Sequence, residues 1–149
     1  MEKLKFEIVI NADPSHVFKV MLEKPTYEEW TAVFSPTSTF EGSWIEGSKI
    51  LFVGEDEQGQ KGGMVSKIDK IIPNEFVSIL HLGVFKNGEE DLDSPEVKEW
   101  AGAHENYIFV NQGKQTLLKV ELDSNEEFAS YFEGIWPKAL SKLKEICEK

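Results

Sequence analysis

The sequence predicts an α+β fold in which a curved antiparallel sheet wraps around a long C-terminal helix, with two short helices after the first strand. Three observations carry this expectation. Apolar residues recur at helical spacing near the end of the chain: Phe128, Phe132, Ile135, Trp136, Ala139, Leu140, Leu143 and Cys147. Almost everything before them reads as strands, either alternating or apolar throughout and bounded by turn residues. One helical interruption, near the start, splits off the first strand.

The elements follow in order. Leu4, Phe6, Ile8 and Ile10 alternate with Lys5, Glu7 and Val9, the pattern of a strand with one buried face. Asp13 suits an N-cap and Pro14 the first helical position, so a short helix runs from Pro14 to about Leu22, turning Val17, Phe18, Met21 and Leu22 inward. Lys24-Pro25 ends it, and Thr26 to Trp30 forms a second short helix. Strands are then expected at Thr37–Phe40, Ser48–Val53, Gly62–Ile72, Phe76–Val84, His104–Val110 and Gln115–Leu122. Gly62-Gly63 suggests a bulge or a close backbone approach. Between Phe85 and Ala103 lies an acidic excursion, Glu89 to Asp93, followed by a short helix from Ser94-Pro95 through Trp100. Ser124 and Glu127 stand three apart as a capping box for the last helix, and Pro137 predicts a bend inside it.

Bulk properties narrow the functional classes. The 149 residues fit one domain, residues 1–149. The net charge of −11 disfavours phosphate backbones and anionic lipid surfaces, so neither a nucleic-acid nor a membrane partner is expected. The first residues contain no apolar signal core, and no apolar run approaches the ~18–20 residues of a membrane span. A soluble cytoplasmic protein is the expectation. The single cysteine, Cys147, excludes an internal disulfide and reads as a small buried hydrophobe.

Four stretches carry a resemblance to a known family: NADPSHVFKVMLEKPTYEEW, GGMVSKIDKIIPNEFVSI, EVKEWAGAHENYIF and WPKALSKLKEICE. With the element order, they resemble the START-like helix-grip superfamily, which includes Bet v 1-type proteins and polyketide cyclases. Within it the chain is most similar to the Hsp90-ATPase-activator-homologue branch, the small bacterial SRPBCC domains. The resemblance implies a cavity under the long helix that accepts a hydrophobic or amphipathic small molecule. It also implies, as an alternative, an interaction module with a chaperone or other protein partner. A cyclase-type enzyme is the third reading. The branch shares no catalytic motif to carry over.

The chemistry-bearing residues point to no reaction. His16 is expected at the surface, His81 on the strand face shared with Val77 and Ile79, and His104 at a pocket mouth or half-exposed. Glu105 and Glu121 read most simply as outer-face carboxylates. Ser141-Lys142-Leu143-Lys144 matches an S-x-x-K string by chance, and no phosphate loop, dinucleotide fingerprint or metal spacing occurs. No cofactor and no metal are expected, and no catalytic residue is assigned. The candidate ligand contacts are Trp30, Phe52, Met64, Trp100, Tyr107, Phe132 and Trp136, large side chains that pack as ordinary core or line an apolar pocket. Tyr107 and Asn106 point to opposite sheet faces, and Tyr107 is the one expected inside.

Overall fold

The computed structural model describes all 149 residues. The elements run β1 (Glu2–Ile10), α1 (Pro14–Leu22), α2 (Lys24–Thr31), β2 (Thr39–Gly42), β3 (Lys49–Glu55), β4 (Lys61–Ile72), β5 (Phe76–Lys86), β6 (Glu89–Asp91), α3 (Pro95–Lys98), β7 (His104–Gln112), β8 (Gln115–Ser124) and α4 (Glu126–Cys147). All strand pairs are antiparallel, in one sheet of order β1-β8-β7-β5-β4-β3-β2, with β6 added beside β5. The sheet and α4 form the helix-grip fold. No helix is long and apolar enough to cross a membrane.

The local chemistry explains the first helices. The Asp13 carboxylate accepts from the His16 amide at 3.0 Å, and Pro14 opens α1 with a φ already suited to a helix. Pro25 does more than stop α1. It sits in the first turn of α2, which starts at Lys24 rather than Thr26. Trp30 ends buried, its indole N–H donating to the Met21 carbonyl at 3.1 Å, so one residue ties the two helices together.

Two expectations change. Ser124 completes β8 opposite Glu2, so it cannot also cap α4; Asn125 does, accepting from the Phe128 amide at 3.1 Å. The acidic run is not a free excursion. Glu89–Asp91 forms β6, paired with Val84–Lys86, and Lys49 bonds to Glu90 at 2.5 Å. This pairing depends on Gly83, where an added Cβ would sit 2.2 Å from the Asp91 carbonyl oxygen. At Gly62-Gly63 the second of the two expected alternatives holds. The backbones do approach there: a Cβ on Gly63, at φ +152°, would lie 1.8 Å from the Phe52 carbonyl oxygen. The bulges of this strand pair lie elsewhere.

There are two of them between β4 and β5. Val65 pairs with Gly83 and Ser66 with His81, leaving Leu82 as the extra residue on β5. Ile68 pairs with Ile79 and Lys70 with Ser78, leaving Asp69 as the extra residue on β4. Each bulge exchanges which side chains face inward beyond it. Before Leu82, Val77, Ile79 and His81 share the inner face; beyond it, Val84 does, while Phe85 packs with Val53 and Val65 in a separate small cluster.

The main core runs along the inner face of the sheet, and one end of it lies between β1, α1, β8 and the second half of α4. Ile10, Val17, Met21, Leu118 and Leu143 are fully buried there. Polar ties seal it: Lys144 donates to the Val9 carbonyl at 3.0 Å, the Asn11 amide donates to Glu148 at 2.8 Å, and the exposed His16 ring lies 3.1 Å from the Cys147 carbonyl. Helical geometry continues on both sides of Pro137.

Candidate functional site

At the other end, α4 does not close onto the sheet. A cavity of about 510 Å³ lies between them, and 14 of its 24 lining residues are hydrophobic. This is the size and character of a small-molecule site. Its walls come from α2 and the segment after it, β3, β4, β5, the turn after α3, β7, β8 and the first half of α4.

All seven predicted residues line this one space: Trp30, Phe52, Met64, Trp100, Tyr107, Phe132 and Trp136. Trp136 is the junction between cavity and core. It is buried and packs against Phe6, Trp30, Phe34 and Tyr107, with ring centroids 5.1–6.4 Å apart. Trp100 reaches the cavity from the turn after α3, which ends at Lys98 rather than at Trp100. Asn106 stays on the opposite face, as alternation requires.

The lining also contains residues the sequence reading placed elsewhere. Glu105 is the main correction. It does not lie on the outer sheet face; it shares the inner face with Tyr107 and lines the cavity. The signal was present, because residues two apart on a strand share a face, so an inward Tyr107 entails an inward Glu105. Tyr27 and Phe34 were missed as well. Tyr27 stands one helical turn before Trp30 and joins a ring cluster with Phe40, Trp44 and Phe52.

A polar chain crosses this apolar wall. The Tyr107 hydroxyl donates to one oxygen of Glu105. The other oxygen lies 3.0 Å from His81 Nε2, and His81 Nδ1 lies 2.7 Å from the Ser66 hydroxyl. His81 is held from its backbone too: its amide donates to the Ala103 carbonyl and its carbonyl accepts from the Gly102 amide, each at 2.9 Å. The side chains of His81 and Glu105 are only 12% and 20% exposed, so this pair faces the cavity rather than bulk water. Burial, reinforced by the charge of Glu105, pushes the Tyr107 and Tyr27 hydroxyls well above the ordinary phenol range, so both stay protonated donors.

A second polar group lies at the rim. His104 Nε2 is 3.1 Å from Asp69, the bulged residue of β4, and the His104 amide donates to Asp123 at 2.9 Å. Burial raises the Asp123 carboxyl, but that amide and the Lys3 ammonium 3.2 Å away hold it below its ordinary value overall. Ser66 is fully buried and does not line the cavity, so the Ser66–His81–Glu105 series offers no accessible nucleophile. No cluster of side chains has the makings of a metal site.

Comparison with known proteins gives the fold. No protein-family model matches the chain, and no curated protein matches its sequence. Solved structures do match over nearly the whole length. The Aha1 dimer from Colwellia psychrerythraea is 21% identical, with a TM-score of 0.73 over 99% of this chain and 97% of that one. A Cytophaga hutchinsonii protein is 19% identical, with a TM-score of 0.73 over 99% and 94%. A Rhizobium loti protein is 14% identical, with a TM-score of 0.70 over 97% and 95%. Sequence divergence at this level leaves the architecture as the shared property. The chain shares the helix-grip fold of these proteins.

Proposed function

We propose that the protein binds a hydrophobic or amphipathic small molecule between the sheet and the first half of α4. Trp30, Phe52, Met64, Trp100, Tyr107, Phe132 and Trp136 supply the contact surface. One observation carries the reading: an apolar cavity of about 510 Å³ adjoins a core of fully buried side chains. A filled core needs no such space, and removing a rigid aromatic ligand from water into it is favourable at roughly 25 cal/mol per Å² of apolar surface. The ring walls suit flat molecules, and the cluster around Glu105 orients them.

Thermal-shift and tryptophan-fluorescence titrations against fatty acids, flavonoids and polyketide-like aromatics test this. A specific ligand raises stability by about 2.7 kcal/mol at a hundredfold excess over its dissociation constant. Native mass spectrometry of protein purified from its own host provides a second readout, as a retained mass. A library that shifts nothing, together with an apo mass only, sinks the reading.

A second reading has its own observation. Phe128 and Tyr131 are 47% and 50% exposed on the first turns of α4. Large exposed rings on one helix suit a protein contact, and the Colwellia neighbour is described as a dimer. Light scattering of the protein beside its Phe128→Ser/Tyr131→Ser variant separates the readings: a mass that drops only in the variant favours the interaction.

A further inference from the structure

The proton inventory of the Glu105 cluster specifies the polar end of the ligand. The inference rests on the binding reading above and sharpens it. Glu105 is a carboxylate and accepts only, so the proton between it and His81 sits on Nε2. With His81 neutral, Nδ1 then accepts from the Ser66 hydroxyl, 2.7 Å away. Tyr107 spends its only proton on the second Glu105 oxygen. Three donors therefore run in series or in parallel into one carboxylate. A proton added at Nδ1 would point to Ser66, which has no exposed surface, and so adds no donor to the cavity; it would offset the Glu105 charge, so the anionic acceptor belongs to the neutral form of His81. The cluster presents acceptors to the cavity and no donor. A carboxylate has about four acceptor positions, and two of Glu105's are taken.

The rest of the lining adds neutral donors, Tyr27 among them, but no ammonium or guanidinium. No Lys or Arg is among its 24 residues. Asp123 is already paired with Lys3 and the His104 amide, and the His104 ring lies against Asp69. Glu105 is the one lining carboxylate without a cationic side chain on hand, and aromatic faces surround it. Aromatic faces and an anionic acceptor are the two elements that hold a cation out of water. The net charge of −11 raises the local concentration of cations further.

We propose that the cavity selects a flat apolar molecule whose polar end is a hydrogen-bond donor, a protonated amine first and a hydroxyl second, and that it rejects carboxylic acids. An acid head at Glu105 would make a like-charge contact in a place of low dielectric, with no cationic side chain in the lining to offset it. An ammonium there makes a charge-assisted bond while its carrier fills the aromatic space.

Calorimetric titration of matched probes tests the proposal. Naphthylmethylamine, naphthylmethanol, methylnaphthalene and naphthoic acid share one body, and the pyrenyl series repeats the comparison with a larger one. The expected order is amine, alcohol, hydrocarbon, acid, with amine and acid at least about tenfold apart. An acid that binds as tightly as the amine overturns the head-group inference and leaves the cavity reading standing. Binding that ignores the head group does the same. If no member of either series binds, the cavity reading falls and this inference with it.

Two variants assign the effect. Glu105→Gln lowers amine affinity by about tenfold and leaves the hydrocarbon unchanged. Tyr107→Phe keeps the ring and frees a Glu105 lone pair, so amine binding holds or tightens; its loss there overturns the role of Glu105, even if Glu105→Gln fails to fold.

Discussion

The two halves of α4 sit against the same sheet and meet it differently. In the second half, Ala139, Leu140, Leu143, Ile146 and Cys147 are buried, and three polar ties fasten the segment to β1 and α1. In the first half, Phe128 and Tyr131 stand exposed, Phe132 is half-buried, and the cavity lies beneath. The difference teaches how a small protein keeps empty space. The closed half supplies stability, and the open half is free to leave apolar surface unpaired because its attachment does not depend on that surface. Trp136 marks the boundary, touching the core on one side and the cavity on the other.

This contrast can be broken by mutation. Leu143→Ala in the closed half is expected to cost about 2–5 kcal/mol, since it leaves a void in packed surroundings. Phe132→Ala in the open half should cost clearly less, under about 2 kcal/mol, because the space beside it is already empty. Urea unfolding of both variants decides the matter. Equal penalties would mean that the first half of α4 is core like the second.

A smaller effect sharpens the comparison. Asn125→Ala removes the cap that satisfies the Phe128 amide and should cost about 1 kcal/mol. The loss should be local. Hydrogen exchange is expected to rise in residues 128–133 and to stay unchanged in 139–146. Uniform acceleration along α4 would show that the halves move as one unit.

The smallest effect at neutral pH is silent until the solution turns alkaline. Burial, with the Glu148 charge added, pushes the Cys147 thiol up to about 12, and burial raises Tyr27 and Tyr107 as well. All three are neutral when protonated, and the folded state holds their protons more tightly than the unfolded chain does. Their contribution is complete below the ordinary thiol and phenol values and is lost as pH rises through the raised ones. Unfolding between about pH 8 and 11 should therefore show falling stability. Cys147→Ala flattens the part that belongs to the closed half, and Tyr107→Phe the part that belongs to the cavity. A stability that holds level across this window refutes the linkage.

The closed half was largely legible in the sequence, and the site only in part. Helical spacing from Trp136 to Cys147 and the Asp13-Pro14 start are local signals, and local signals survive into the structure. The seven aromatic and sulfur-containing liners were legible because large side chains on inward faces have few places to go. Glu105 was misplaced because charge was allowed to override alternation, although Tyr107 two residues on settled its face. The cap slipped by one residue because β8 extends to pair Ser124 with Glu2, a tertiary demand no local window contains. The bulges were illegible for the same reason. Leu82 and Asp69 look like ordinary strand residues, and only the partner strand reveals that each has no opposite number.

The bulge at Leu82 acts as a frameshift written in space. One unmatched residue re-reads the remainder of β5 in the other phase, so His81 and Val84, an odd and an even position, both face inward, while Phe85 is turned out. Strike that residue out and the phase reverts: the ring of Phe85 swings to the side where Val84 now stands. One leucine thus decides whether a valine or a phenylalanine side chain faces the hollow at this point of β5.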